Sequence, residues 1–101
     1  MAKVRFTPLA YRDLEEIVAW YESKRLGVGY QFELAIGQVI QRIEQYPLSC
    51  ELVLNEIRQA LVRRFPYAIY YQLRDENQIA VVLAILHTSR DIPPEEIVAR
   101  Q

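Results

Sequence analysis

The sequence predicts an α+β domain in which a helical hairpin covers one face of an antiparallel sheet, in the order β-α-α-β-β-β. Three observations predict it. Apolar residues recur at helical spacing in two stretches of the first half. From Leu52 onward the pattern changes to runs of β-branched and aromatic residues. Breakers stand between these regimes, with Gly27 between the two helical stretches and Pro47 after the second.

The opening Lys3-Val4-Arg5-Phe6 alternates polar and apolar, as a short strand with one buried face does. Thr7-Pro8 then reads as a helix start, because threonine caps free backbone N–H groups and proline at the first helical position gives up a bond that would be unmade anyway. Asp13, Glu15 and Glu16 suit the positive end of that helix. Ala10, Leu14, Ile17 and Tyr21 form its apolar stripe, and Lys24, Arg25 and Gly27 supply the stop. A second stripe, Phe32, Ile36, Val39, Ile43 and Tyr46, ends at Pro47. Gly37 lies inside it and is read as a packing residue that lets the helices approach.

Ile57 to Phe65 reads as one strand, Pro66 as a break, Tyr67 to Arg74 as a second strand and Asp75-Glu76-Asn77-Gln78 as a polar turn. The run from Ile79 to Leu86 is apolar on both parities, which suits a central strand covered on both faces. By alternation Tyr67, Ile69, Tyr71 and Leu73 face the helices, leaving Ala68, Tyr70, Gln72 and Arg74 on the other side. Three or four strands thus follow the hairpin. The tail after Thr88 has a helix start at Pro93-Pro94 but little length, and is expected to order against a partner.

At 101 residues the chain, 1–101, fits a single domain. About half its residues are hydrophobic and a quarter charged, the balance of a folded protein. The formal net charge of -1 gives no long-range pull towards RNA or DNA, so any nucleic-acid contact needs a local patch. A lone cysteine, Cys50, and the absence of a Cys/His cluster point to no internal disulfide, no metal and no cofactor. No apolar stretch is long enough for a signal peptide or membrane span, so the expected home is the cytoplasm.

Arg58, Arg63, Arg64, Arg74 and Arg90 gather in the sheet half, whereas much of the acid lies in Asp13, Glu15, Glu16, Glu22, Glu33 and Glu44 of the helices. The sheet half is therefore locally basic, and arginine's planar fork suits carboxylate or phosphate groups of a partner. The alternative is a set of solvated strand edges and local salt bridges. His87 is the one histidine, either a proton carrier or a residue hydrogen-bonded at a strand end. Tyr70 is the tyrosine of its strand best placed to stack on a partner. Trp20 is either a core-edge residue or a partner anchor. Ser49 and Ser89 have no triad context, and Cys50 reads as a small, half-buried residue.

Thr7-Pro8 with Ala10 and Leu14, the Pro47 stop, Arg58, Arg64-Phe65-Pro66-Tyr67, the Tyr70-Tyr71 pair, and Ala84-Ile85-Leu86-His87 followed by Arg90-Asp91 together resemble the RelE/ParE toxin family. The resemblance covers nearly the whole chain. It implies a four-stranded antiparallel sheet with the helical hairpin on one face, and a small antitoxin partner whose disordered segment folds around the toxin. It also implies one of two activities. RelE-like members cleave messenger RNA in the ribosomal A site with basic residues on the open sheet face, and ParE-like members inhibit DNA gyrase. Matching Tyr67-Ala68-Ile69-Tyr70-Tyr71 to the family's strand puts Ala68 where ribonuclease members carry a phosphate-binding arginine. The same anchor puts Gln59 and Leu61 where the best-known ribonuclease branch has two lysines. The expectation is therefore a ParE-like toxin with no catalytic residues, whose binding residues are Arg58, Arg63, Arg64, Tyr70, Arg74, His87 and Arg90. A RelE-like ribonuclease acting on ribosome-bound mRNA is one rival reading, and a non-toxic antitoxin-binding module is another.

Overall fold

A computed structural model describes residues 1–89 and 94–101 of the chain. Its elements are β1 (Lys3–Phe6), α1 (Pro8–Lys24), α2 (Val28–Gln45), β2 (Glu51–Leu54), β3 (Ile57–Leu61), β4 (Tyr67–Arg74), β5 (Ile79–His87) and α3 (Pro94–Val98). The start of α1 follows from its residue types. The Thr7 hydroxyl accepts from the Ala10 N–H at 3.1 Å, and Pro8 opens the helix.

The three residues between α1 and α2 are held by a carboxylate from the last turns of α1. Glu22 accepts from the Gly27 N–H at 2.9 Å and from the Gly29 N–H at 3.0 Å, so it caps the start of α2, which has no side-chain cap of its own at Gly27. The close approach of the helices falls at Gly29, where a Cβ would sit 2.7 Å from the Val18 carbonyl oxygen. Gly37, expected to be the packing glycine, is exposed and faces open space. Its position beside the apolar stripe puts it on the outer flank of α2.

The sheet has five strands in the order β1-β5-β4-β3-β2. Strands β2 to β5 form the antiparallel meander expected from the turn residues. The expectation of a purely antiparallel sheet fails at one strand, because β1 pairs parallel with β5, from Lys3↔Ile79 to Phe6↔Val82. The two-helix crossover after β1 is long enough to return the chain parallel, which a tight turn is not. β5 lies inside the sheet between β1 and β4 and meets apolar neighbours on both faces. Its parity is shifted by a bulge, since Tyr70 pairs with Ala84 and Tyr71 with Val82, leaving Leu83 as the extra residue.

The main core lies between the hairpin and the sheet. Ile17, Phe32, Ile36, Val39 and Ile43 pack on Ile69, Tyr71, Val82 and Ile85, with Leu14 only partly buried. Tyr67 and Leu73 also face this side, and Tyr70 the other, as alternation requires. The second face buries a smaller cluster of Ile57, Leu83, Ala84 and Leu86 beneath Ile97 of α3. Residues 94–101 of the tail therefore order on their own chain, which their short helix alone does not explain. Asp13 supplies the missing restraint. Its Oδ2 accepts from Arg100 Nη1 at 2.7 Å and from the Ile85 N–H at 3.1 Å, while Arg100 also donates to the Leu83 carbonyl at 3.2 Å. The pair thus satisfies backbone groups on the stretch of β5 that runs past the end of β1. Asp13 serves the sheet, although its place in the sequence suits the positive end of α1.

Two predictions follow from these restraints. Asp13→Ala strands both Arg100 and the Ile85 N–H, and urea unfolding should show a loss of about 2–3 kcal/mol, against about 1–2 kcal/mol for Arg100→Ala. The second concerns Tyr71, fully buried with its hydroxyl donating to the Pro47 carbonyl at 2.8 Å. Burial, reinforced by the adjacent Cys50 thiol, pushes this phenol well above the ordinary tyrosine value of 10.0. Below about pH 9 it is neutral in both folded and unfolded chains and adds no pH dependence. Above about pH 9 only the unfolded chain ionises, so stability falls as pH rises. Tyr71→Phe should cost about 1 kcal/mol at pH 7 and make stability fall less steeply between about pH 9 and 11.

Candidate functional site

The connection between β3 and β4 is fixed by its aromatic residue. The Phe65 ring packs 5.2 Å from Tyr21 and 5.1 Å from Phe32, both edge-on, and Phe32 meets Tyr67 at 5.4 Å. Burial raises the Tyr21 and Tyr67 phenols above the ordinary value, so these rings stay neutral in the knot. With Phe65 drawn inward, the preceding residues are forced out. Arg64 adopts a left-handed backbone, φ 71°, and Arg63 and Arg64 are both exposed. Neither has a carboxylate partner among the described residues.

These two arginines form the rim of a cleft of 640 Å³ between α2 and the β3–β4 connection, lined also by Val28, Gln31, Leu34, Ala35, Gln38 and Phe65. A smaller cleft of 190 Å³ shares Ala35, Gln38 and Arg63 with it and adds Val39, Arg42 and Leu61. Together they make one furrow along α2. Its walls are apolar, amide and cationic, with no carboxylate among the lining residues. Glu33, two residues after Gln31, points to the opposite side of the helix. Leu61 is 60% exposed and Leu34 52%, so apolar surface is left open at the furrow.

The remaining candidates are dispersed. Arg58 faces the helix layer, opposite Tyr71, and its Nη1 donates to the Cys50 carbonyl at 2.6 Å and the Leu48 carbonyl at 3.2 Å. It ties the α2–β2 loop to the sheet. Arg74 is exposed at the far end of β4, about 23 Å along the strand from Tyr67. Tyr70 is half-buried on the second face, its hydroxyl accepting from Gln59 Nε2 at 2.9 Å. His87 lies at the same end of the sheet as Arg63 and Arg64, opposite Tyr67. Its Nδ1 meets the Ser89 N–H at 3.1 Å and hydroxyl at 2.7 Å. Arg90 falls outside the described residues. The structure therefore brings together Arg63 and Arg64, with His87 at the same sheet end, and separates Arg58 and Arg74 from them.

Sequence reading missed the furrow and Arg42. The signal was present in Gln31, Leu34, Gln38 and Arg42, spaced three, four and four along the flank of the apolar stripe. Trp20, 54% exposed, stacks edge-on to Tyr21 with Lys24 Nζ 5.4 Å from its ring centre, on α1 away from the furrow. Cys50 is buried, 3.6 Å from Arg42 Nη2. No group of three metal-ligating side chains occurs among the described residues, and no described helix is long and apolar enough to cross a membrane.

The family profile described as the ParE toxin of the type II toxin-antitoxin system, parDE, matches residues 4–92. The fold is similar to that of a chain from the chromosomal ParDE toxin-antitoxin system of P. aeruginosa, at a TM-score of 0.74 and 15% identity over 86% of this chain and 96% of that one. It is also similar to a chain of the intact E. coli RelBE toxin-antitoxin complex, at a TM-score of 0.61 and 17% identity over 89% and 100%. For the RelBE2 toxin-antitoxin complex of Mycobacterium tuberculosis the values are 0.55 and 24%, over 88% and 93%. No curated protein matches by sequence. With the profile running through every element from β1 to β5, the chain belongs to the ParE toxin family of type II toxin-antitoxin systems.

Proposed function

We propose that this ParE-type toxin acts in the cytoplasm by binding and inhibiting DNA gyrase, without cleavage chemistry of its own, until a cognate antitoxin neutralises it. The observation that carries the reading is the composition of the second sheet face. Where the family's ribonucleases hold cations, this chain has Gln59 bonded to Tyr70, Leu61 exposed, and Ala68 fully buried between Leu61 and Leu86. Neither leucine nor alanine stabilises phosphate charge or moves a proton. The net charge of -1 offers no general attraction to the ribosome in their place. An antitoxin partner is supported by the solved relatives, which come from toxin-antitoxin systems and complexes.

Two assays on the purified toxin separate the activities. Gyrase-driven supercoiling of relaxed plasmid should fall in a dose-dependent way, and messenger RNA on ribosomes should remain intact. Cleavage at the ribosomal A site that is lost in His87→Ala would overturn the reading and assign proton transfer to the histidine at the Arg63/Arg64 end of the sheet. If neither assay responds while an antitoxin still binds, the protein is a binding module with no toxic action.

A further inference from the structure

The sheet ends at β2, and the sequence of that strand does little to guard its outer edge. Glu51 is its one charged residue, and neither lysine nor proline interrupts it. The direction of its backbone groups follows from β3. The Val62 N–H donates to the Tyr67 carbonyl, so by antiparallel alternation Ala60 and Arg58 also turn their groups to β4, while Gln59 and Ile57 turn theirs to β2. Glu51 and Leu54, the partners of Gln59 and Ile57, are therefore bonded into the sheet, and the N–H and C=O of Leu52 point outward. Neither group has a partner among the described residues. The Leu52 side chain, opposite Arg58, lies on the helix-layer side and is 52% exposed. It shares a shallow cleft of 210 Å³ with Leu73 and with Leu48, itself 57% exposed. Tyr46 and Val53 are exposed as well, so four large apolar residues at the surface fall within residues 46–53.

We propose that two copies of this chain associate through β2, in an antiparallel bridge whose two-fold axis passes Leu52, so that each Leu52 N–H donates to the Leu52 carbonyl of the other copy. A bonded antiparallel pair exchanges both hydrogen bonds at one residue and brings its Cα atoms to about 5.5 Å, which sets the two exposed leucines side by side. A second copy fits this edge better than a longer foreign strand does. On one side of Leu52 the Cys50 carbonyl is already taken by Arg58, and on the other a bulge interrupts the strand before Leu54. An added strand would find the groups of one residue open, and a two-fold bridge at that residue uses both and leaves none over. The charges agree with this register. Glu51 falls off the axis, opposite Val53 of the second copy, and neither strand carries another charge. Two five-stranded sheets become one of ten strands, closed at this edge because the symmetry uses both copies of it. Arg63 and Arg64 lie beyond the Gln59 end of the β2–β3 pairing, outside the contact. With two backbone bonds and a small apolar patch, the interface is below the standard size, so the association is weak and concentration-dependent.

Sedimentation velocity of the full chain from about 1 to 300 μM should show monomer giving way to dimer. Leu52→Lys and Leu52→Glu each set like charges across the axis, and each should raise the dissociation constant at least tenfold. Mixing these two variants should restore a heterodimer, a gain that misfolding cannot produce. Leu52→Pro removes the outward N–H at an edge position where proline is tolerated, and should abolish the dimer. Glu15→Ala on α1 should leave the dissociation constant unchanged. A dimer indifferent to Leu52→Lys or Leu52→Pro, or the lack of a heterodimer on mixing, would overturn the proposal. So would a chain that stays monomeric up to about 300 μM, which would leave the edge to a strand of another protein.

Discussion

The four-ring knot of Tyr21, Phe32, Phe65 and Tyr67 holds the hairpin, the β3–β4 connection and the first residue of β4 at a common point. Much of the molecule's usable surface depends on it. An aromatic residue drawn into the core between two arginines and a proline obliges the chain to turn the arginines outward, and the left-handed backbone at Arg64 is the strain that accompanies this. The same packing sets the distance between α2 and the sheet end, and so the width of the furrow. A cationic rim here is therefore a by-product of core packing as much as a surface feature, and its position is rigid because the rings beneath it interlock.

The two faces of the sheet are used differently. The hairpin face carries the bulk of the core, and the second face carries a smaller apolar cluster closed by α3 together with a polar strip of Gln59, Tyr70 and Gln72. Gln59 donates to the Tyr70 hydroxyl, and Gln72 is engaged by Glu56 and Gln101, so these groups have little spare capacity for binding an anion. Cationic capacity lies at the end of the sheet and along α2, where it meets a strand edge.

What could be read from the sequence was whatever depended on short-range periodicity. The two apolar stripes, the Thr7-Pro8 start and the division of β4 between faces each depend on spacing within a few residues, and all recur in the structure except Tyr46, placed last in the second stripe, which is 63% exposed just past the end of α2. What escaped depended on partners distant in sequence. Gly37 looked like the packing glycine because it lies in the stripe, but the contact with α1 is set by how the hairpin closes, which places Gly29 against Val18. Asp13 looked like a helix-end charge, yet its partners are 72 and 87 residues away. Arg58 looked like a surface cation because composition cannot show that the carbonyls of Leu48 and Cys50 lie above it. The parallel pairing of β1 was hidden for the same reason, since alternation in Lys3–Phe6 reveals a buried face but not the neighbour's direction.

That parallel pairing also bears on how the chain assembles. The α1–α2 hairpin and the β2–β5 meander are each built from neighbours in sequence, and local closures of this kind form quickly. Joining them through Lys3↔Ile79 and Asp13–Arg100 closes loops of more than 70 residues, which carries the larger entropic cost and comes later. In the interval β5 has one unpaired edge along its whole length, and it is the most apolar strand of the chain. The stitch between the two halves is then a kinetic device as well as a structural one, because until it closes the chain exposes its greatest liability to intermolecular pairing.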